Sequence, residues 1–157
     1  MCMGPKIAGA ILLTAILAGC AQTQNSASEG KLISPPQAVF MAATAAPEMV
    51  PGDFALQVRA AGRADGNVYL NSELDYRDQR NLSIAIAPLA QADLEKRYGQ
   101  PPDQFFSGKA IVVHGAARRV KIFFLADGLP TDKYYYQTHV AVYDASQIAL
   151  AEPSQPK

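Results

Sequence analysis

The feature that most constrains the fold is a long alternating stretch, residues 109–125, in which apolar and polar side chains follow each other at period two. In its first half the residues expected to face the core have odd numbers: Ile111, Val113 and Gly115. In its second half the apolar residues have even numbers: Val120, Ile122 and Phe124. This pattern is typical of a half-buried β-strand. Because the buried parity changes before Arg119, we expect a bulge or sharp bend at Gly115.

Further alternating segments predict a mainly β domain. We expect strands over Phe54 to Ala60, around Val68 and Leu70, over Leu82 to Ile86, over Tyr134 to Val142, and at Ile148 to Leu150. The Asp65-Gly66 pair predicts a hairpin turn, because glycine supplies the positive φ of tight turns. Residues 126–133 predict a second turn, around Asp127-Gly128. The chain therefore reads as successive antiparallel strands joined by turns.

One helix interrupts the strands. Pro88 suits a helix start, and Ala90, Leu94 and Tyr98 recur at four-residue spacing on one face. Gly99 then ends the helix. We expect the Phe105-Phe106 pair, further on, to plug one end of the core. For residues 37–50 the pattern leaves a short helix and a strand packed on the domain equally open.

The order of three strands, a short helix, then a long bent strand with a returning partner is that of an OB-fold. We therefore predict, over residues 51–152, an OB-fold-like antiparallel barrel of five or six strands with one short helix between strands 3 and 4. Three stretches resemble pieces of small bacterial OB-like domains: residues 68–71, 108–115 and 144–148. A β-sandwich or an antiparallel α+β meander is the rival topology.

An apolar run from Ile7 to Leu17 follows Lys6 and ends in Leu17-Ala18-Gly19-Cys20. This resembles the lipobox of bacterial lipoproteins, in which the cysteine thiol receives a diacylglycerol and becomes the mature N-terminus. The resemblance implies a signal peptide over 1–19, a lipidated N-terminus with a flexible tether over 20–50, and a polar tail over 153–157. The alternative is a transmembrane anchor or buried helix, but the run is short for a hydrocarbon layer of roughly 30 Å.

The resemblance also implies an exported protein that is anchored by lipid to the cell envelope. Ala21, rather than aspartate, follows the lipidated residue and implies the periplasmic face of the outer membrane. The chain has two cysteines; Cys2 lies in the signal and Cys20 is lipidated. A disulfide framework and a thiolate metal site are therefore excluded from the mature domain. The formal net charge is zero, so the overall charge does not favour nucleic acid.

The ligand face of an OB-fold lies on its second and third strands and on the loops after its first and fourth. The residues that we expect to contact a ligand there are Tyr69, Tyr76, Arg77, Arg80, Arg119, Lys121, Tyr135 and His139. In a ligand site, aromatic rings of this kind stack on bases and the basic side chains bind phosphate. Alternatively, these side chains pack against each other across neighbouring strands on a solvated face. Within the tyrosine run we expect Tyr134 and Tyr136, which share the parity of Val140 and Val142, in the core or at its rim, and Tyr135 toward solvent.

We expect no metal and no cofactor. The carboxylates Glu73, Asp75 and Asp78 lie in a polar loop but lack the glycine and spacing of an EF-hand. Neither histidine lies in an HExxH pattern, and the chain holds no G-x-S-x-G elbow and no P-loop. These patterns predict a protein that is not an enzyme and has no catalytic residues.

The predicted function is a non-catalytic binding or accessory module at the envelope, acting through protein–protein contact by the 118–136 hairpin and the 71–81 loop. Tyr135 suits this role, since tyrosine is enriched at interface hot spots. An oligonucleotide- or oligosaccharide-binding OB domain is the alternative, and nucleic acid is the less expected of those ligands in an exported protein. A small hydrolase with a pocket around His114 or His139 is the second alternative.

Overall fold

The computed structural model of the protein describes residues 31–152. Its helices are α1 (Pro35–Ala45), α2 (Pro88–Tyr98) and α3 (Pro102–Phe105). Its strands are β1 (Val50–Gln57), β2 (Ala60–Ala64), β3 (Asn67–Asn71), β4 (Leu82–Ile86), β5 (Ala110–Ala126), β6 (Leu129–Val142) and β7 (Ile148–Leu150). The predicted signal peptide, Cys20, the start of the tether and the polar tail lie outside the described residues. No helix within 31–152 is long and apolar enough to cross a membrane.

The strands form one seven-stranded sheet in the order β1-β5-β6-β4-β3-β2, with β7 paired to β5. The protein is therefore mainly β, as the alternation predicts. The strand count exceeds the predicted five or six, and the sheet is mixed rather than antiparallel, because β4 and β6 run parallel. The path of paired strands is also open rather than a closed barrel, with β1 and β2 at its two ends.

The extra strand arises where the predicted first strand bends. The backbone N–H of Val58 donates to the carbonyl oxygen of Lys109 at 2.9 Å, on the β5 side. The next N–H, of Arg59, donates to the carbonyl oxygen of Asn71 at 2.9 Å, on the β3 side. The chain thus passes from one neighbour to the other within two residues, and this turn separates β1 from β2.

The core lies between one face of the sheet and the helices. Its largest fully buried side chains include Phe54, Phe106, Leu70, Leu82, Ile84, Ile86 and Leu94. Of the two alternatives for residues 37–50, the structure has the helix. Ala38 and Ala42 of α1 are fully buried, so the packed unit begins before residue 51. Because they are small, these alanines let the helix approach the sheet closely.

The predicted helix, which is α2, and the aromatic plug are confirmed, but the described residues form two further helices, α1 and α3, where only one was predicted. Helix α2 begins at Pro88 and is capped by Gly99 in the left-handed region, with φ of 72°. Phe106 is fully buried, and the Phe105 ring stacks on Tyr98 with centroids 4.0 Å apart. These rings close one end of the core.

Of the two alternatives predicted at Gly115, a bulge or a sharp bend, the bulge is absent. Register on β5 is continuous from its pairing with β1 through its pairing with β6, and it shifts only between Phe123 and Leu125. The parity changes because the strand leaves the core, not because it changes face. Gly115 serves a different purpose, since a Cβ there would lie 2.8 Å from Cγ1 of Val140. Only glycine lets the two strands pack at this distance.

Beyond the core, β5 and β6 continue as a two-stranded ribbon over residues 118–137, which we call the β-arm. The last β5 residue paired with β1 is Ala117, and the first β6 residue paired with β4 is Thr138. At its tip, Asp127 and Gly128 both have positive φ, at 50° and 79°, as a two-residue hairpin turn requires. The predicted turn over 126–133 is therefore shorter, because pairing resumes at Leu129.

Candidate ligand groove

The face of the sheet opposite the helices carries a groove of about 420 Å³. We call it the tyrosine groove. Register partners share a face of a sheet, and Asn71, Ser83 and His139 are successive partners across β3, β4 and β6. The groove is lined by Gly62, Arg63, Ala64, Tyr69, Asn71, Tyr76, Ser83, Ile122, Tyr135, Gln137 and His139. It therefore spans the space between the β2–β3 hairpin and the base of the β-arm.

A buried polar network forms the floor of the groove. The side-chain amide of Asn81 donates to Oδ1 of Asn71 at 3.0 Å and to Oγ of Ser83 at 2.9 Å. Ser83 Oγ donates in turn to Oδ1 of Asn71 at 2.7 Å. The Asn81 side-chain oxygen accepts from the backbone N–H of Glu73 at 3.1 Å. Asn81 thereby ties the 72–81 loop to the floor, and the groove keeps its shape before any ligand arrives.

His139 lies at the centre of this face and is 8% exposed. Burial, assisted by the charge of Arg118, lowers the pKa of its imidazole to about 4. The ring is therefore neutral at ordinary pH, and its Nε2 lies 2.7 Å from the side-chain oxygen of Gln137. Because an amide oxygen only accepts, Nε2 carries the proton and donates.

The chain of hydrogen bonds continues from Gln137 into the wall of the groove. The Gln137 amide donates to the hydroxyl of Tyr135 at 3.0 Å and to the backbone oxygen of Tyr76 at 3.3 Å. Burial raises the pKa of the Tyr135 phenol. The Tyr69 ring lies against His139, with centroids 5.7 Å apart. The groove thus presents three tyrosines beside neutral amides and an uncharged imidazole, with Arg77 against the ring of Tyr76.

The arginines around the groove are paired with carboxylates. Arg63 is the one charged residue among those that line the groove, but its register partner is the buried Val68, so its side chain lies on the helix side of the sheet. There it holds Asp103 through two hydrogen bonds of 3.1 and 2.5 Å. The Arg80 guanidinium lowers the pKa of Asp78 to about 2 through its hydrogen bond. Three such pairs border this region: Arg63–Asp103, Arg77–Asp75 and Arg80–Asp78. The positive potential of these bases is therefore locally offset.

The structure brings together four of the eight predicted contact residues. Tyr69, Tyr76, Tyr135 and His139 all line the groove. Arg77 stands at its rim, with its guanidinium 5.3 Å from the centre of the Tyr76 ring. Arg80 pairs with Asp78 and is absent from the lining. Whether any of these residues binds a ligand stays a prediction.

The two remaining bases lie on the opposite face of the β-arm. The Arg119 guanidinium lies 3.6 Å from the centre of the Tyr136 ring, and Nζ of Lys121 lies 4.4 Å from that of Tyr134. This face borders a second cavity, of about 360 Å³, between the arm and α1. Arg119 and Lys121 therefore do not line the tyrosine groove, although Tyr135 borders both cavities.

The prediction for the tyrosine run is wrong for Tyr134 and Tyr135, whereas Tyr136 fits a position at the rim of the core. Tyr134 is 48% exposed and Tyr136 is half-buried, whereas Tyr135 is half-buried in the groove wall. The reason is that the core parity of β6 continues into the β-arm, where no core lies beneath it. Parity assigns a face correctly but does not say how far the buried part of that face extends.

Sequence reasoning missed the polar lining residues Asn71, Ser83 and Gln137. For two of them the sequence indicates the face of the sheet but not the burial that marks the site. Asn71 and Ser83 fall on the non-core parity of their predicted strands, on the face that also carries Tyr69. Polar side chains that are themselves buried on such a face indicate a covered site rather than a solvated surface.

The histidines and hydroxyls nearby are engaged with other partners. Ser83 Oγ donates to Asn71 and His139 Nε2 to Gln137, as described above, while Nδ1 of His114 lies 2.7 Å from a carboxylate oxygen of Asp53. Within residues 31–152, no cluster of three or more histidine, cysteine, aspartate or glutamate side chains is placed to hold a metal ion.

No protein-family model matches this chain, and no curated protein matches it.

Proposed function

We propose that the protein is an exported, lipid-anchored and non-catalytic binding module whose tyrosine groove holds a neutral oligosaccharide. The observation that carries the proposal is the lining of the groove, in which three tyrosine rings stand beside uncharged amides, a hydroxyl and a neutral imidazole. A concave site with a few fixed polar groups is the usual form of a small-ligand site.

The chemistry of a sugar fits this lining. The C–H faces of a pyranose ring pack against aromatic rings, which combine a large apolar surface with a polar hydroxyl. Sugar hydroxyls both donate and accept, and the amides of Asn71 and Gln137 offer both functions. The network under Asn71 leaves its position fixed, so little ordering would be required when a ligand binds.

We further propose that the domain is OB-like, a fold whose strand faces bind oligonucleotides and oligosaccharides. The strand order supports this. If β1 and β2 are taken as two halves of one strand bent at Val58 and Arg59, the order around the sheet is first, fourth, fifth, third, second and first again. Helix α2 then follows the third strand, and the parallel pair joins the third and fifth.

A nucleic-acid ligand is less well supported. A groove for single strands combines stacking rings with a continuous track of positive charge. Here Arg63, Arg77 and Arg80 each pair with a carboxylate. Of the β-arm bases that form no salt bridge within residues 31–152, Arg119 and Lys121 lie on the other face, whereas Arg118 is the register partner of His139 and shares the face of the groove. The rings therefore stand beside one such base and not along a continuous track of positive charge.

Replacing Tyr135 with alanine is expected to weaken oligosaccharide binding about tenfold or more, because truncating a central aromatic contact commonly costs 1–3 kcal/mol. The measurement is titration calorimetry of the full chain with chitotetraose, a neutral oligosaccharide. Tyr134→Ala is the matched control, since it removes the neighbouring ring on the opposite face of the arm and should bind as the parent does.

Two results would contradict the groove assignment. Equal loss of chitotetraose binding in Tyr134→Ala and Tyr135→Ala would show that the ring is needed for the arm and not for the ligand. Salt-sensitive binding of a single-stranded oligonucleotide, with no binding of chitotetraose, would place the ligand among nucleic acids instead.

The membrane anchor is tested separately. We expect Cys20→Ala to abolish incorporation of a labelled fatty acid in a bacterial host, because the thiol that would carry the diacylglycerol is gone. Cys2→Ala should leave labelling intact, since this cysteine belongs to the predicted signal. Labelling that persists in Cys20→Ala would contradict the lipobox assignment.

A further inference from the structure

We propose that the free edge of β5 in the β-arm accepts an extended acidic segment of a partner protein as an additional antiparallel strand. The β-arm is flanked on this side by no other strand in the described structure, because β1 ends its pairing at Ala117. An unpaired strand edge presents a row of backbone donors and acceptors, and strand addition is a recurring mode of peptide recognition.

The hydrogen-bond pattern identifies which backbone groups are free. The Ala110 oxygen accepts from Ala151, on the side of β5 where β7 lies. Lys109 instead accepts from Val58, on the β1 side. Since successive residues of a strand alternate in this respect, odd-numbered residues direct their backbone groups to the β1 side. In the β-arm, these free groups belong to Arg119, Lys121 and Phe123.

The side chains along this edge specify an acidic occupant. Arg118, Arg119 and Lys121 are exposed, and none forms a salt bridge within residues 31–152. Arg119 and Lys121 share one face, whereas Val120 and Ile122 share the other and are half-buried. A strand that alternates glutamate with an aliphatic residue would match both faces, with opposite charges placed directly across from each other.

A second copy of the chain fits this edge less well. Pairing two β5 edges about a twofold axis would bring the bases of one arm close to those of the other, and like charges across a strand pair are destabilising.

Exposed apolar side chains at the tip of the β-arm enlarge the surface that a partner protein could contact. They are Phe123, Phe124, Leu125 and Leu129. A patch of this kind on a soluble domain marks an interaction site.

The test uses the full chain and a labelled, end-capped octapeptide of alternating glutamate and valine, measured by fluorescence anisotropy. We expect it to bind at least tenfold more tightly than the same peptide with lysine in place of glutamate. Lys121→Glu together with Arg119→Glu should reverse this order. Arg80→Glu, a change of a base outside the arm, should leave the order unchanged.

Backbone pairing is tested on the peptide, so that folding of the arm is not at issue. Residues directly opposite each other share a face, so the glutamates lie across from Arg119 and Lys121 and their N–H groups point at β5. N-methylation of the glutamates should therefore abolish binding, whereas N-methylation of the valines should be tolerated. In the protein, Lys121→Pro should lose more affinity than Lys121→Ala, because only proline removes the backbone donor.

Three results would overturn the proposal. Equal binding of both N-methylated peptides would show attraction by charge without strand addition. Concentration-dependent dimers that exclude the peptide, seen by sedimentation, would assign the edge to a second copy. An oligonucleotide that binds through Arg119 and Lys121 while the acidic peptide does not would assign it to nucleic acid. Because the groove variant Tyr135→Ala can be run in parallel, failure here is distinguishable from failure of the proposed function.

Discussion

Replacing Asn81 with alanine is expected to lower the free energy of unfolding by about 2–4 kcal/mol. Asn81 is 2% exposed, and its amide donates to Asn71 and Ser83 while its oxygen accepts from the Glu73 N–H. Removing it leaves the Glu73 N–H without its acceptor and leaves Asn71 and Ser83 with only the hydrogen bond between their own side chains. An unpaired buried polar group costs about 1–3 kcal/mol, and the two buried hydrogen bonds from the Asn81 amide are lost as well. Urea denaturation followed by circular dichroism measures the loss.

The choice of substitution separates loss of volume from loss of hydrogen bonds. Asn81→Asp keeps the size and the acceptor but replaces the donating amide with a carboxylate that faces the Asn71 oxygen. We expect it to destabilise at least as much as alanine does. Gln79→Ala is the control, since Gln79 is exposed in the same loop and should change stability by less than about 0.5 kcal/mol. A full-stability Asn81→Asp variant would contradict the network.

We expect Asn81→Ala to weaken ligand binding in the tyrosine groove as well. Asn71 and Ser83 are held in place by Asn81, and the loop that it ties down carries Tyr76. We therefore expect weaker chitotetraose binding in Asn81→Ala under conditions in which the protein remains folded. Because the loop is part of the binding face, the stability of the protein and its affinity for chitotetraose should fall together.

The parts of the fold that sequence predicted are those whose causes are local. Helix α2 has its start at Pro88 and its stop at Gly99 in the sequence itself, with a four-residue apolar period between them. Strands β3 and β4 are short, and each lies wholly over the core, so alternation identifies both the strand and its buried face. For these elements no knowledge of a distant partner is needed.

The β-arm could not be predicted because its cause is non-local. Strand β5 continues as one strand through this stretch, but the β5–β6 pair leaves the core where the strands that flank it end, at Val50 of β1 beside β5 and at Leu82 of β4 beside β6. The sequence of β5 itself does not indicate where these other strands end. The change of apolar parity was therefore interpreted as a bulge or bend at Gly115, although it marks the point where the core stops.

The groove was predicted only in part, for a related reason. Tyr69 and Tyr135 could be predicted because tyrosine is a residue type common at binding sites, and both line the groove. The polar residues Asn71 and Gln137 are common on solvated strands, and only their burial shows that they belong to a site. Arg119 and Lys121 share the predicted hairpin with Tyr135, yet the alternation of the strand places them on its other face.

Lowering the pH from 7 to 4 is expected to remove about 3 kcal/mol from the free energy of unfolding through His139 alone. Burial holds the pKa of this imidazole at about 4 in the folded protein, against an ordinary value of 6.5. Between these values the unfolded chain binds a proton that the folded protein does not. The unfolded state is thus favoured as the pH falls from 6.5, and the effect is complete near pH 4.

The sign and the pH range distinguish His139 from the carboxylates. Asp78 and Asp103 have lowered pKa values, so they stabilise the folded protein above the ordinary carboxylate range and lose that effect only as the pH falls below about 4. His139→Gln keeps a side chain that donates to Gln137 but does not titrate. We expect this variant to flatten the slope of stability between pH 6.5 and 4.5, measured by urea denaturation at a series of pH values. A slope that survives unchanged in His139→Gln would contradict the assignment of a buried neutral imidazole to the groove.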